Sequence, residues 1–169
     1  GFGYILPILD DLVKHNIQIV IVGTGDPKVC MDLGEFAQQH PQQFAFINGF
    51  STEHAHLVEA GADFFLMPSQ FEPCGLNQMY SLAYGTVPIV RAVGGLKDTV
   101  VDFSCDGGTG FVFDEPTPLA LLSCVRRALL AYYEDPAKFR EMQVRGMNTR
   151  FTWEASALSY QQLYQTITQ

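Results

Sequence analysis

The sequence has few basic residues. Only ten Lys and Arg stand against eighteen Asp and Glu in 169 residues, so the formal net charge is −8. Nucleic acids and anionic membrane surfaces are bound through clustered Lys and Arg side chains. The composition therefore argues against nucleic acid and against a membrane as partners.

Long apolar runs are also missing. No run approaches the eighteen or so residues that a membrane-spanning helix requires. The first residues, Gly1-Phe2-Gly3-Tyr4, include neither an initiator Met nor the basic segment of a signal peptide. We therefore expect them to lie inside a longer protein.

Cysteine and histidine do not occur at metal-ligand spacing. The four Cys are far apart with no CxxC pair, and the four His do not supplement them. His54 and His56 are two residues apart, which directs them to different sides of a helix. We expect no metal and no cofactor, and a reduced, cytoplasmic protein.

What the sequence does contain is an alternation of apolar strands and amphipathic helices. Hydrophobic residues make up 47% of the chain, which excludes disorder and allows one domain with its own core. Strands are predicted at 18–22, 44–47, 62–67, 87–91 and 110–113, with helices at 5–13, from 27, at 51–61, at 76–84 and from 94. The unbroken apolar strands favour a parallel sheet covered on both faces. The fold class is α/β, with a doubly wound, Rossmann-like parallel sheet.

The two ends of the chain depart from this alternation. After residue 113 only helices are predicted, with caps at Thr117, Asp135 and Thr152 and an apolar stripe on the last helix. The chain opens with a helix, whereas such a domain normally opens with a strand. We therefore expect the first strand of the sheet to be missing from the 169 residues.

Ligands of doubly wound domains bind at the carboxyl ends of the strands, so the loops at 23–27, 48–51, 68–77 and 91–96 are the candidates. Loop 68–77 combines Glu72, Cys74 and Gly75 immediately before a helix N-terminus, where backbone amides favour an anion. A phosphorylated sugar would use such a carboxylate for its hydroxyls and such amides for its phosphate. Alternatively, Glu72 only interacts with the helix dipole.

Three other features leave alternatives open. Gly94-Gly95 forms either a second open helix N-terminus or a plain turn. Gly23-Thr24-Gly25 lacks the third glycine of a dinucleotide fingerprint, because Lys28 stands there, so NAD binding is not favoured. Phe50, after Gly49, either stacks on a nucleobase or belongs to the core.

The candidate loops also contain two possible nucleophiles, and a few cations lie near them. Cys74 has no nearby base in sequence, and Ser69 lies outside a G-x-S-x-G context, so neither predicts nucleophilic catalysis. Only Lys28, Arg91 and Lys97 are basic near these loops. Either the ligand is uncharged there, or its phosphate-binding cations lie outside this chain.

One extended block of motifs resembles a known family. The block comprises Ala62-Asp63, Pro68-Ser69, Phe71-Glu72-Pro73-Cys74-Gly75-Leu76, Tyr84-Gly85-Thr86-Val87-Pro88-Ile89-Val90 and Gly94-Gly95-Leu96-Lys97-Asp98-Thr99-Val100. It is similar to glycosyltransferase family 5, the bacterial glycogen synthases and plant starch synthases, and the likeness extends over essentially the whole chain. The resemblance implies that residues 1–169 are the single C-terminal, nucleotide-sugar-binding domain of a two-domain GT-B enzyme.

The resemblance also implies an activity and partners. The full enzyme would transfer glucose from ADP-glucose to the non-reducing end of an α-1,4-glucan such as glycogen, with retention. The N-terminal domain of the same chain would complete the site. Without it and without the family's diphosphate-binding Arg and Lys, we expect the 169 residues alone to be inactive.

Site residues follow from the same resemblance. Glu72 matches the family's motif glutamate, which contacts the donor glucose, and is taken as catalytic. The positions matching the glucose pocket are Cys74, Gly75 and Leu76, and those matching the nucleotide and phosphate contacts are Asn77, Gly49 and Phe50. The wider retaining GT-B superfamily often has a second Glu where this chain has Tyr80, which favours family 5. Two alternatives stay open, a related GT-B enzyme for another nucleotide sugar and a non-catalytic binding module.

Overall fold

The chain forms an α/β structure in which parallel strands alternate with helices. The computed structural model describes residues 1–167. The helices are α1 (Phe2–Ile5), α2 (Leu9–Leu12), α3 (Pro27–Gln39), α4 (Thr52–Gly61), α5 (Asn77–Tyr84), α6 (Gly94–Thr99), α7 (Pro118–Glu134), α8 (Pro136–Asn148) and α9 (Trp153–Ile167), with a 3-10 turn at Leu6–Ile8. The strands are β1 (Ile19–Gly23), β2 (Phe44–Asn48), β3 (Phe64–Met67), β4 (Val87–Arg91) and β5 (Phe111–Phe113). The predicted fold class is confirmed.

The strands form two parallel groups rather than one continuous sheet. In the first, β1 pairs with β2, with Ile19 opposite Phe44. In the second, β3, β4 and β5 pair in that order. A cleft of about 1100 Å³ separates β1 from β3. The sequence predicts the strands but not this division.

The burial of β1, the strand that borders the cleft, also differs from its prediction. The unbroken apolar run of β1 predicts a strand covered on both faces, yet Val20 is 44% exposed and the rest of β1 is only partly buried. The cleft is the physical reason, since it leaves one long edge of β1 without a neighbouring strand among residues 1–167.

The main core lies between β3–β5 and the helices α7 and α8. Its completely buried members are Phe111, Leu121, Ala128 and Met142. A smaller cluster of Val90, Leu96 and Val100 lies under α6. Burying a large aliphatic or aromatic side chain of this kind stabilises the fold by roughly 1.5–3 kcal/mol.

Local capping chemistry sets the helix boundaries, as the sequence predicts. Ser51, Thr117 and Asp135 accept hydrogen bonds from the first turns of α4, α7 and α8. Gly85 ends α5 in the left-handed conformation, with a φ of 82°. The backbone amide of Ala155 donates to Thr152 at the start of α9, and all described side chains of α9 are exposed.

The predicted N-terminal helix at 5–13 is only partly correct. Helical structure starts at Phe2 and is broken into α1, the 3-10 turn and α2. Pro7 lies in the 3-10 turn, where it has no N–H to donate to the preceding turn. Hydrophobic spacing alone does not reveal that interruption.

Candidate functional site

The loop at 68–77 begins where β3 ends and leads into α5. Pro68 is buried directly after the strand, and Glu72 is partly buried in the middle of the loop. The capping position of α5 is occupied by Leu76, and no side chain makes the cap hydrogen bond. The first amides of a helix have no intrahelical partner. The first backbone N–H groups of α5 therefore have no capping side chain and lie next to the loop that contains Glu72.

Gly75 gives the loop its shape. Its φ is +75°, in the left-handed region that disfavours residues with a side chain. A Cβ at this position would also lie 2.5 Å from Oε1 of Gln78. Both the conformation and the space at residue 75 therefore require glycine.

Gln78 fixes this turn from inside the protein. It is completely buried, and its Nε2 donates to the carbonyl oxygens of Cys74 at 3.1 Å and Gly75 at 3.0 Å. The same nitrogen lies 3.1 Å from Oγ1 of Thr99 in α6. Thr99 in turn donates to the carbonyl oxygen of Gly95 at 2.5 Å. Sequence reasoning does not identify Gln78, although a Gln among the apolar residues of α5 is a signal that could have drawn attention to it.

The turn at Gly94-Gly95 packs directly against this loop. The amide of Gly95 donates to the carbonyl oxygen of Glu72 at 3.2 Å. A Cβ on Gly94 would collide with the Glu72 carbonyl, and one on Gly95 would collide with the Cys74 carbonyl. These glycines therefore permit a close backbone approach, so the interpretation as a plain turn is incomplete.

Arg91, at the end of β4, holds the first part of the loop. Its Nη1 donates to the carbonyl oxygens of Ser69 at 3.1 Å and Gln70 at 2.9 Å. Its Nε lies 3.3 Å from the carbonyl oxygen of Asp114. The sequence points to Arg91 as a candidate cation for a phosphate, but its guanidinium is engaged by backbone carbonyls.

The two other nearby cations are at the surface. Lys28 forms an exposed ion pair with Asp32 at 3.0 Å, and Lys97 is exposed on α6. The pairing with Asp32 raises the pKa of Lys28. Arg91 and Lys28 are therefore engaged by groups of this chain, and Lys97 is a surface side chain.

The remaining predicted residues of the loop are accessible. Cys74 is a free, exposed thiol whose Sγ lies 3.4 Å from the Gly75 carbonyl oxygen. Leu76 and Asn77 are exposed at the start of α5. These side chains can contact a ligand without rearrangement of the core.

Gly49 and Phe50 lie in the turn after β2, in the other group of strands. The Gly49 amide donates to the carbonyl oxygen of Gly23 at 3.1 Å, which brings the turns after β1 and β2 together. Phe50 is 89% exposed. It does not belong to the core, so that alternative is wrong and its ring is available for stacking.

The carboxylates Glu59 and Asp102 have pKa values that their surroundings shift. Burial raises the pKa of Glu59, which is 2% exposed and accepts a hydrogen bond from Ser81 at 3.0 Å. Burial acts in the same direction on Asp102, but hydrogen bonds from Ser104, Val112 and Arg127 outweigh it and lower that pKa. Through these hydrogen bonds Glu59 connects α4 to α5, and Asp102 connects the segment after α6 to α7.

His54 and His56 are both exposed on α4. Within residues 1–167 there is no group of three or more His, Cys, Asp or Glu that could hold a metal ion. Nor does the described part of the chain contain a helix that is long and apolar enough to cross a membrane.

Curated relatives resemble this chain over nearly its full length. It is 58% identical over 167 residues to the glycogen synthase of Aeromonas hydrophila and 52% identical over 166 residues to that of Photobacterium profundum. These alignments cover 98% and 97% of this chain but only 34% and 33% of the relatives. The chain thus spans about a third of the length of these proteins. The resemblance to glycogen synthases predicted from the motifs is confirmed.

Two solved structures also match nearly the whole chain. The catalytic domain of starch synthase IV from Arabidopsis thaliana, bound to ADP and acarbose, matches 96% of this chain with a TM-score of 0.84 and 28% identity. A sucrose-phosphate synthase from Thermosynechococcus elongatus matches 98% with a TM-score of 0.69 and 26% identity. The chain covers 34% and 42% of those structures. Since residues 2–143 also match the family model of the glycosyl transferases group 1, the chain belongs to that family of enzymes.

Proposed function

We propose that residues 1–169 are the C-terminal, nucleotide-sugar-binding domain of a two-domain retaining glucosyltransferase. The full enzyme transfers glucose from ADP-glucose to the non-reducing end of an α-1,4-glucan. Glycogen synthases at 52–58% identity support the reaction, and the binding of ADP by the Arabidopsis starch synthase supports the nucleotide. The single observation on which the proposal depends is the Glu72 loop, which is held against Gly94-Gly95 at a helix N-terminus.

Each part of the loop binds a different part of the nucleotide-sugar donor. The Glu72 carboxylate accepts hydrogen bonds from glucose hydroxyls, and Cys74, Gly75 and Leu76 line the glucose pocket. The uncapped backbone amides at the start of α5, next to Asn77, bind the distal phosphate of the nucleotide-sugar donor, since a helix N-terminus favours an anion. A fixed loop places these groups without reorganisation during the reaction.

The nucleotide end of the donor lies farther along the strand ends. The turn at Gly49 gives a base room to approach, and the exposed ring of Phe50 stacks on the adenine. This part of the proposal uses a different group of strands from the glucose pocket.

The 169 residues do not supply the whole site. Arg91 is engaged by carbonyl oxygens, and Lys28 and Lys97 are surface side chains. The developing charge on the leaving diphosphate needs cations. The Arg and Lys that bind the diphosphate therefore come from another segment of the full protein, and the N-terminal domain completes the site. We expect no ADP-glucose turnover by residues 1–169 alone, and measurable turnover by them would contradict this division of the site. The four free cysteines fit a reducing, cytoplasmic compartment.

The decisive experiment replaces Glu72 with Gln in the full-length enzyme. The change keeps the size of the side chain and removes the charge, so kcat should fall by at least about 100-fold. Glu115→Gln is the control, because Glu115 is also a carboxylate in a loop between a strand and a helix, and it is exposed whereas Glu72 is partly buried. Wild-type kcat in Glu72→Gln, measured with ADP-glucose and glycogen, would disprove the role.

A related enzyme for another nucleotide sugar is the second candidate. The observation in its favour is the similarity to a sucrose-phosphate synthase, with 26% identity and a TM-score of 0.69. A panel of nucleotide sugars given to the full-length protein with glycogen separates the two. We expect the highest kcat/KM with ADP-glucose, and an equal or higher value with another donor would replace it.

A further inference from the structure

Two side chains connect loop 68–77 to the glycine turn that packs against it. Nε2 of Gln78, in α5, donates to Oγ1 of Thr99 at 3.1 Å, and Thr99, in α6, donates to the carbonyl oxygen of Gly95 at 2.5 Å. Gln78 is completely buried and Thr99 is partly buried. Hydrogen bonds are stronger in such surroundings than in water, so these two restrict the groups that they join.

The chemistry of the groups sets the direction of each bond. Carbonyl oxygens only accept, so the Gln78 amide turns its NH2 group toward Cys74 and Gly75. For the same reason the Thr99 hydroxyl gives its one proton to the Gly95 carbonyl, and its oxygen accepts from Gln78. A flipped Gln78 amide would place its oxygen against two other oxygens. The connection therefore has one arrangement.

The oxygen of the Gln78 amide carries a cost that an apolar residue would avoid. Oε1 is buried and has no hydrogen-bond partner within residues 1–167. A buried acceptor without a partner destabilises a fold, and native proteins contain few of them. What a Leu or Met at position 78 could not provide is the pair of N–H groups at the turn before α5. We infer that these N–H groups are the reason for glutamine at this position.

The connection reaches Glu72 through Gly95. The Gly95 amide donates to the carbonyl oxygen of Glu72 at 3.2 Å, and the Gly95 carbonyl accepts from Thr99. A Cβ on Gly95 would collide with the Cys74 carbonyl, so the two backbones are in direct contact. A shift of the first turn of α6 would thus displace the backbone of Glu72, from which the candidate catalytic carboxylate extends.

We propose that Gln78 and Thr99 are positioning residues for the transfer reaction and act as a pair, through Gly95, on Glu72. This inference rests on the proposed function of loop 68–77 as the donor site. Gln78 is completely buried, so it touches no ligand itself. The pair instead determines where the Glu72 carboxylate stands before the reaction. Displacement of a catalytic group by about 1 Å can cost up to 100-fold in rate.

Thr99 variants of the full-length enzyme test the proposal. Thr99→Val keeps the shape and removes the hydroxyl, so kcat should fall at least about tenfold, while KM for ADP-glucose changes by less than about threefold. Thr99→Ser restores the hydroxyl and should bring kcat back to within about threefold of the wild type. Wild-type kcat in Thr99→Val would overturn the proposal, as would a Thr99→Ser enzyme that is no better than Thr99→Val.

Thr86→Val is the matched control for loss of a buried hydroxyl. Thr86 is 2% exposed, and its Oγ1 donates to the carbonyl oxygens of Glu59 at 2.5 Å and Ala62 at 3.1 Å. These bonds connect the ends of α4 and α5 and do not involve loop 68–77. Thr86→Val should therefore lower Tm without lowering kcat below Tm. A decrease in kcat as large as that of Thr99→Val would show that general destabilisation explains both.

A double substitution tests whether the two residues act as a pair. Gln78→Met keeps the length of the side chain and removes its N–H groups. Thr99→Val should then lower kcat by less than about threefold in Gln78→Met, because residues of one hydrogen-bond network do not have additive effects. A full tenfold decrease in that background would contradict the pair. If Gln78→Met fails to fold, the Thr99 variants and hydrogen exchange decide.

Hydrogen exchange of the complete protein tests the positioning independently of the reaction. Thr99→Val should speed exchange of the Gly95 amide at least about tenfold relative to that of Val90 in β4, and Thr86→Val should not. Unchanged protection of Gly95 in Thr99→Val would overturn the proposal. Absence of turnover by the wild-type enzyme with every nucleotide sugar would instead refute the proposed function, and the exchange of Gly95 would still decide whether the pair fixes the loop.

Discussion

The side-chain amide of Gln78 donates a hydrogen bond to the carbonyl oxygen of Gly75 at 3.0 Å. Gly75 is the residue at which loop 68–77 adopts a left-handed conformation before α5. The bond therefore joins a buried helix side chain to the turn that shapes the candidate glucose pocket. Because Gln78 is completely buried, these hydrogen bonds are shielded from solvent.

Gln78→Ala should destabilise the protein. The change leaves the Cys74 and Gly75 carbonyls without their donor, which costs about 1–3 kcal/mol in the free energy of unfolding. Urea unfolding measures the loss. Gln38→Ala, at an exposed position of α3, should change the free energy by less than about 0.5 kcal/mol. Equal effects of the two substitutions would show that the Gln78 contacts contribute nothing.

Gly95→Ala and Gly34→Ala should have opposite effects. A Cβ on Gly95 collides with the backbone of Cys74, so we expect a loss of about 1–3 kcal/mol and a displaced loop. Gly34 lies inside α3 with no atom within 4 Å of the new Cβ, so alanine should stabilise the protein by about 0.5–1 kcal/mol. Thermal unfolding of both variants gives the comparison. A Gly95→Ala protein as stable as the wild type would contradict the close approach.

Arg91→Met should reduce transfer through misplacement of the loop. The Ser69 and Gln70 carbonyls lose their donor, and displacement of a positioned group by about 1 Å can cost up to 100-fold in rate. In the full-length enzyme we expect kcat/KM for the donor to fall by at least about tenfold. Lys97→Met removes a nearby exposed charge and should leave kcat/KM unchanged. The reverse result would mean that Lys97, not Arg91, acts at the site.

Glu59 should make stability depend on pH. Burial raises its pKa above the ordinary value of 4.5, whereas the hydrogen bond from Ser81 and the charge of His56 act in the opposite direction. An acid with a raised pKa in the folded state is most stabilising when protonated, below pH 4.5. That contribution is lost as the pH rises through the folded-state value.

Glu59→Gln tests this sign. The amide keeps an oxygen for Ser81 and never ionises, so the free energy of unfolding should exceed that of the wild type at pH 7. The gain should disappear below pH 4.5, where the wild-type side chain is also neutral. Glu35→Gln, at an exposed position of α3, should show no such trend. A Glu59→Gln protein that is less stable than the wild type at pH 7 would show that the ionised carboxylate is favourable.

Much of the fold follows from local patterns. Ser51, Thr117 and Asp135 are recognisable as helix caps because each bonds to an amide within three residues of itself. Strands are visible as apolar runs. The predicted continuous helix at 5–13 fails at Pro7, because hydrophobic spacing does not register a missing backbone donor.

The candidate site was only partly predictable. The order of Glu72, Cys74 and Gly75 before a helix is a local signal, and so is the paired glycine at 94 and 95. By contrast, Arg91 contacts the loop across 21 and 22 positions in the chain. No periodicity or motif spacing predicts which carbonyl a distant guanidinium will meet.

The sequence by itself determined most of the secondary structure elements, several helix caps, the resemblance to glycogen synthases and the loop with Glu72 at its centre. These features depend on residues close together in the chain. Only the tertiary structure decided that Gly95 touches the Glu72 carbonyl, that Gln78 shapes the turn at Gly75 and that the strands stand in two groups with a cleft between them. Contacts between distant segments depend on how whole elements pack, and packing is a property of the assembled fold.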